Sequence, residues 1–443
     1  MKSRILTCIT GMTLFTALAM PVRIVAQEEQ LQAEPLQHYT VTDLGTLGGT
    51  FSAGYGLNSG GRVGGSSTLT ATGVNQHAFL WHHGHMTDLG TLGGPNSIAG
   101  GPNGRDELPI EAEASLTDPL GENFCGFGTN LICLGAIWKN GAMTPLPTLG
   151  GNNGVALALN NPGQVIGYAE NSVRDPSCPS PQVLDFEAVK WGPKQGEIHE
   201  LRPLPGDTVG FALGINDEGQ VVGTSGSCAN TPLFPLEVGP HAVLWENGSA
   251  TDLGNLGGEM INDAASINNR GEVVGASELA GDTNCSLITL AGCTIHPFLW
   301  TKETGMQDIG TVGSDVLALP AGMGGINNPG QVVGESCDST GNCRAFLWQN
   351  KKMTDLNTLI PADSPLYLLF AFGINDAGEI AGLALQTSTG DVHAFLATPC
   401  DLNYADAACC KDDTEGTDAE GNETTERPRV VLPGIARVLP RRR

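Results

Sequence analysis

Histidines and carboxylates recur along this chain at positions that invite a metal or catalytic reading. His77, His241, His296 and His393 open four copies of one short word, His-Ala-Phe-Leu-Trp or a close variant. Equivalent side chains around an axis could converge on a metal, but zinc–imidazole bonds of about 2.1 Å are too short for a wide ring. Three of the seven copies also lack the histidine. The expected role is therefore a strand-edge histidine bonded to a backbone carbonyl. His82, His83 and His85 cluster beside Gly84 and read as an exposed hairpin tip, against adventitious capture of a transition metal.

The carboxylates divide into repeated and unrepeated. Asp43, Asp88, Asp252, Asp308 and Asp355 recur in a second word, Thr-Asp-Leu-Gly, and Glu200 takes that place in its fourth copy. Glycosidase chemistry needs two carboxyl groups about 5–10 Å apart. Residues present in nearly every repeat serve the repeat itself, here through a turn or a hydrogen bond between units. Catalytic groups would be unique to one or two units. Asp106, Glu107, Glu111 and Asp185 meet that condition, and the acidic stretch from Arg105 to Glu122 is the place for an active site or a calcium site. A solvated loop is its competing reading. The Thr-Leu-Gly-Gly words lack a lysine and a following helix, so they are tight turns and not phosphate loops. No catalytic, cofactor-binding or metal-ligating residue is assigned from these patterns.

Three words, each present seven times, supply the elements that would position such groups. Thr42 to Gly49 reads Thr-Asp-Leu-Gly-Thr-Leu-Gly-Gly, and Ile215 to Gly223 reads Ile-Asn-Asp-Glu-Gly-Gln-Val-Val-Gly. The third is His77 to Trp81, echoed at 134–138, 187–191, 241–245, 296–300, 344–348 and 393–397. A period near 50 suits four short strands with their turns. The approach to Ile-Asn is the first strand, Gln-Val-Val-Gly the second, His-Ala-Phe-Leu-Trp the third, and the run ending in Asp-Leu-Gly the fourth. Tyr39 to Gly45 is a fourth strand without its third, and His393 to Ala397 is a third without its fourth. Joining them completes one mixed sheet and leaves no open edge. The expectation is an all-β, seven-bladed propeller over residues 38–400, with another seven-unit ring as runner-up. Unit two departs most. Ala99 to Ser115 lacks the Gln-Val-Val-Gly strand, while Leu134 and Glu187 replace the initial histidine of their units.

These words resemble the extracellular repeat proteins named for their His-Ala-Phe motif, across residues 38–400. The resemblance implies bacterial export and a propeller-like fold, and it implies no activity.

Composition narrows the functions. The chain has 443 residues, 22 basic against 47 acidic groups, and 61 glycines. The acidic balance argues against nucleic acid, whose phosphates demand a basic surface. Lys2 and Arg4 before the apolar run from Ile5 to Met20 predict a signal peptide over 1–26. Cleavage after Ala19 and a retained anchor are the alternatives. No later segment is apolar enough to span a membrane.

Disulfides are expected in an oxidising compartment, within Cys125 and Cys133, Cys285 and Cys293, and Cys337 and Cys343. Cys178 and Cys228 occupy equivalent loops of adjacent units and could bridge them. Cys400, Cys409 and Cys410 have no assigned partner. Asp401 to Glu426 holds nine acids and one lysine, a composition that predicts disorder. Arg427 to Arg443 adds six arginines, an unstructured tail or a surface-retention signal.

Both tight turns of a four-stranded unit fall at one end of its strands. The other end gathers the long, variable connections and all the local cysteine pairs. The resulting expectation is an exported monomer that binds a polymer or protein through the long-loop end. A polymer-cleaving enzyme and a crosslinked surface protein are the competing classes.

Overall fold

The computed structural model describes residues 37–194, 196–231, 238–281, 292–322 and 324–400. The expected signal peptide, the tail 401–443 and Cys285 lie outside the described residues. The fold is all-β, and among the described residues its one helical turn is the short 3-10 segment Leu356–Leu359. Five sheets have four strands each. The remaining sheet joins two further sets of four through a single parallel pair, Ile295 with Leu317. Within every set of four the pairing is antiparallel. Tyr39–Asp43 pairs with Val392–Pro399, from Tyr39 opposite Pro399 to Asp43 opposite Phe395, so the two ends of the described chain share one sheet.

The repeated words follow from packing. Phe79, Phe298, Phe346 and Phe395 of the third strands are fully buried, each lying over the glycine of the neighbouring second strand. A Cβ on Gly65, Gly275, Gly334 or Gly382 would stand 2.6–2.8 Å from the phenyl ring and 1.9–2.1 Å from a first-strand carbonyl oxygen. No side chain fits there, which is why Val-Val-Gly ends in glycine. The apolar third strand is sandwiched between two partners in its sheet and between sheets on its faces, so little of it meets water.

The asparagine of the Ile-Asn word does two jobs. Its Oδ1 accepts from the backbone N–H four residues later, closing the turn, as with Gln220 N on Asn216 at 2.9 Å. Its Nδ2 donates to the backbone oxygen of the corresponding asparagine in the next unit. These bonds run from Asn58 to Asn103, Asn160, Asn216, Asn268, Asn327 and Asn375, and from Asn375 back to Asn58, at 3.0–3.2 Å.

Unit two corrects its expectation. Leu108–Thr117 is a second strand, paired with Gly93–Ala99 and Leu131–Lys139, with register breaks between Gly93 and Ser97 and between Glu113 and Thr117. Leu108, Ile110 and Ala112 are fully buried, so most of the supposed acidic loop is sheet. Alternating apolar residues supply the packing that Val-Val-Gly supplies elsewhere.

Candidate functional site

The two ends of the sheets differ in chemistry. At the tight-turn end the asparagine turns line a cavity of about 260 Å³, together with Asn161, Asp217, Asn269, Asn328 and Asp376. The polar atoms there are occupied by one another. Asp217 Oδ2 accepts from Asn161 Nδ2 at 3.0 Å and Asn269 Nδ2 at 3.1 Å, and Asp376 Oδ2 accepts from Asn328 Nδ2 at 2.8 Å. Each ring asparagine from Asn103 to Asn375 also donates to the side chain four residues on, as Asn216 does to Gln220. A rim whose donors are already spent has little left for a ligand.

The repeated histidines and aspartates are one device. His77, His296 and His393 place Nδ1 2.8–2.9 Å from Asp88, Asp308 and Asp43 respectively. His241 reaches Asp207 instead, at 2.9 Å. The expected backbone-carbonyl partner is thus replaced by a carboxylate. The reason lies in the turn: Asp88 Oδ1 accepts from Gly90 N at 2.8 Å, a local bond that holds the carboxylate beside the third strand. Asp43, Asp252 and Asp308 cap their turns in the same way, and Asp355 caps through Asn357 N. Arg344 replaces the histidine of unit six and binds Asp315 Oδ1 at 2.6 Å. In unit three Glu187 stands where histidine is usual, with Glu200 in the aspartate's place. Burial pushes Glu187 up to about 8, with Glu200 and Asp185 adding to it. His82 and His85 face each other across a hairpin beside His83, with no carboxylate bonded to them among the described residues.

The unrepeated acids are not brought together. Asp106 and Glu107 sit in the tight turn of unit two. Arg62 binds Asp106, and Arg105 and Lys139 bind Glu107. Burial opposes ionisation of Glu107, but those bonds and one from Asn103 outweigh it and hold its carboxyl at about 2. Glu111 is buried on its strand opposite Gly135. Asp185 lies on Leu184–Trp191 in unit three, where burial and then Asp175 raise it to about 6. Among the described residues, three clusters bring potential metal ligands within 4.8 Å: Asp175 with Asp185, Cys178 and Cys228; Glu111 with Cys125 and Cys133; and Glu335 with Cys337 and Cys343. Every cysteine among them is disulfide-bonded, which leaves no thiolate to ligate.

The long-loop end is where the units differ. Cys125–Cys133 and Cys337–Cys343 staple single loops, with Cα atoms 5.5 and 4.1 Å apart, and Cys178–Cys228 joins the loops of units three and four at 4.7 Å. Cys293 and Cys400 are also disulfide-bonded. Beneath these loops Phe124, Tyr168, Phe186 and Phe211 form an aromatic cluster, with Tyr168 edge-on to Phe211 at 4.8 Å and Phe186 stacked on it at 5.1 Å.

Two buried glutamates pin the loops of units two and three. Glu122 Oε1 accepts from Val183 N at 2.7 Å and Leu184 N at 2.9 Å. Glu170 Oε2 accepts from the backbone of Asn152 and Asn153, and Oε1 from Gln182 Nε2, all at 3.0 Å. Both are fully buried. Burial, then the charge of Glu122, raises Glu170 to about 8, and burial likewise raises Glu122. Sequence reasoning passed over this pair. The signal available was an acid at the end of an otherwise apolar strand, Val-Ile-Gly-Tyr-Ala-Glu.

Apolar exposure follows the same polarity. Val74, Leu116, Val173 and Met260 are 82, 65, 54 and 39% exposed, and all four lie at the long-loop end. Leu116 and Val173 occupy the solvent-exposed last residues of Leu108–Thr117 and Val165–Arg174, strands of ten residues in adjacent units.

No protein-family model matches the chain, and no curated protein matches it. Among solved structures it is similar to the Pyrococcus horikoshii acylaminoacyl peptidase, at 10% identity and a TM-score of 0.44, covering 83% of this chain and 53% of that one. The chain therefore spans about half the length of the peptidase. A Xanthomonas campestris gluconolactonase is similar at 11% identity and a TM-score of 0.35, over 70% of this chain and 91% of that one. An arginine-to-alanine mutant of AofleA from Arthrobotrys oligospora follows at 11% identity and 0.30, over 72% and 90%.

Proposed function

We propose that this chain is an exported seven-bladed propeller of the His-Ala-Phe repeat kind, working as a binding module through its long-loop end. The asparagine bonds that return from Asn375 to Asn58 support ring closure, as does the sheet shared by Tyr39–Asp43 and Val392–Pro399. Three disulfides among the described residues support an oxidising compartment. The single observation that carries the binding reading is that, among the described residues, all four large exposed apolar side chains lie at the stapled, aperiodic end. Exposed apolar groups rimmed by polar loops mark interaction surfaces, and rigid loops lose less entropy on binding.

The test is an array of glycans and cell-envelope fractions probed with the mature chain, residues 27–443, scoring bound material and released products together. Saturable capture without cleavage, lost when Leu116 and Val173 both become aspartate, is the expected result. New reducing ends or shortened polymer would replace the binding module with an enzyme. Capture unchanged in the double variant would move the contact surface elsewhere.

A further inference from the structure

We propose that Glu122 and Glu170 share one proton and act as a pH-operated latch between the long loops of units two and three. The pair is fully buried and binds three consecutive residues, Glu170 taking the Gln182 side chain and Glu122 Oε1 the backbone of Val183 and Leu184, while Glu122 Oε2 has no hydrogen-bond donor among the described residues. Two neighbouring carboxylates away from water are costly to ionise together, and a proton on the unpartnered Glu122 Oε2 relieves that cost. Both ends of the pair are anchored. Glu122 holds Val183 and Leu184 of unit three, and Glu170 holds Asn152, Asn153 and Gln182 of its own unit. The shared proton adds a link between the unit-two loop and unit three beside the bonds from Val183, Leu184 and Asn153.

The surroundings offer no counter-charge. Asp118 on the unit-two loop is linked to Glu170 through Asn153 Nδ2, 3.0 Å from each carboxylate. Glu113 on Leu108–Thr117 binds Asn96 and Thr129. Asp175 and Asp185 interact with each other, and Glu187 lies near Glu200. Arg174 stands in register with Leu184, but its side chain is exposed. Among the described residues, no cation hydrogen-bonds to the pair.

The sign of the effect follows. Opening the loops returns both carboxyls to water and their ordinary range, so the open form releases the proton that the closed form keeps. Closure is fully favoured below about pH 4.5 and weakens as pH rises through about 8, by tenfold per pH unit for one proton. Above that range both forms are ionised and the dependence levels off.

Amide hydrogen exchange on the mature chain tests this without any ligand, so its failure is separable from failure of the binding reading. Protection factors of Val183 and Leu184, corrected for intrinsic exchange, should fall about tenfold per pH unit between pH 5 and 8, while sheet amides such as Val165 stay level. Glu122→Gln keeps an acceptor for both amides and donates to Glu170 without a titrating proton, so its profile should be flat. A level wild-type profile overturns the latch whether or not the variant folds, and so does a slope that survives in Glu122→Gln. Adding calcium chloride provides the other arm: protection restored at pH 8 by calcium and removed by a chelator would make the pair a cation site instead.

Discussion

The tight-turn end and the long-loop end are made by the same seven units, yet they obey different rules. At the tight-turn end every unit contributes the same asparagine, and its amide is spent on the next unit's backbone. At the long-loop end the connections between second and third strands vary in length and cross-linking, and that end carries the exposed apolar side chains and the buried acid pair. Repetition here marks architecture, because a bond that closes one junction must recur at all of them. A partner has only one place to sit, so the residues that meet it are free to differ between units.

The comparison can be broken most forcefully at the disulfide between units three and four. Cys178 and Cys228 close a loop of 50 residues, for which chain entropy gives about 4 kcal/mol. Replacing both with serine should lower unfolding free energy by about that amount in denaturant titrations, with the sheets retained in circular dichroism. A loss below about 1 kcal/mol would mean the loops are held by the aromatic cluster and the acid pair alone.

Next in size is the asparagine ring. Asn216→Ala deletes a bond to Asn268 O, one to Gln220 Oε1 and one from Gln220 N, and leaves buried backbone groups without partners. At about 1 kcal/mol each, a destabilisation of about 3 kcal/mol is expected by the same titration. Because the rim is architectural, capture of a partner by the surviving folded fraction should be unchanged. Loss of capture at full folding would shift the functional end to the other face.

Much of this contrast was legible in the residues. The seven words, the order of four strands and the pairing of Tyr39–Asp43 with Val392–Pro399 follow from spacing, because a strand lacking its neighbour at one terminus matched the surplus at the other. The second strand of unit two was misread because Leu-Pro-Ile-Glu-Ala-Glu-Ala has no glycine. Its period-two alternation of Leu108, Ile110 and Ala112 was the better signal. The histidines and aspartates were weighed as separate groups, although His77 and Asp88 stand 11 residues apart and His296 and Asp308 stand 12 apart, a near-constant offset that a hairpin brings together. The buried pair of Glu122 and Glu170 was not readable by such counting, since it joins unlike segments of two units.

Unit three offers a sharper and smaller test of the rule. Glu187 faces Glu200 where other units match histidine with a carboxylate, and burial followed by the neighbouring acids raises Glu187 to about 8. A raised carboxyl supports folding fully below its unfolded value near 4.5, and that support is lost as pH rises through 8. Glu187→His should remove this loss and raise stability at pH 8 by about 1 kcal/mol, while leaving stability at pH 5 nearly unchanged. Melting curves at the two pH values check it. An equal change at both would mean that the histidine acts through packing and not through the pair.

The smallest expected effect on folding belongs to the residues with the largest expected effect on binding. Leu116 and Val173 are more than half exposed, so changing both to serine removes little buried area and should move stability by no more than about 0.5 kcal/mol. If the long-loop end meets a partner, the same double change should weaken capture at least tenfold, since apolar groups at a contact lose their burial with the partner and not with the fold. Equilibrium binding and unfolding measured on one preparation separate the two quantities. A pair of substitutions silent in both would leave the projecting strands without a role, and the contact would then belong to the loops stapled by Cys125–Cys133 and Cys178–Cys228.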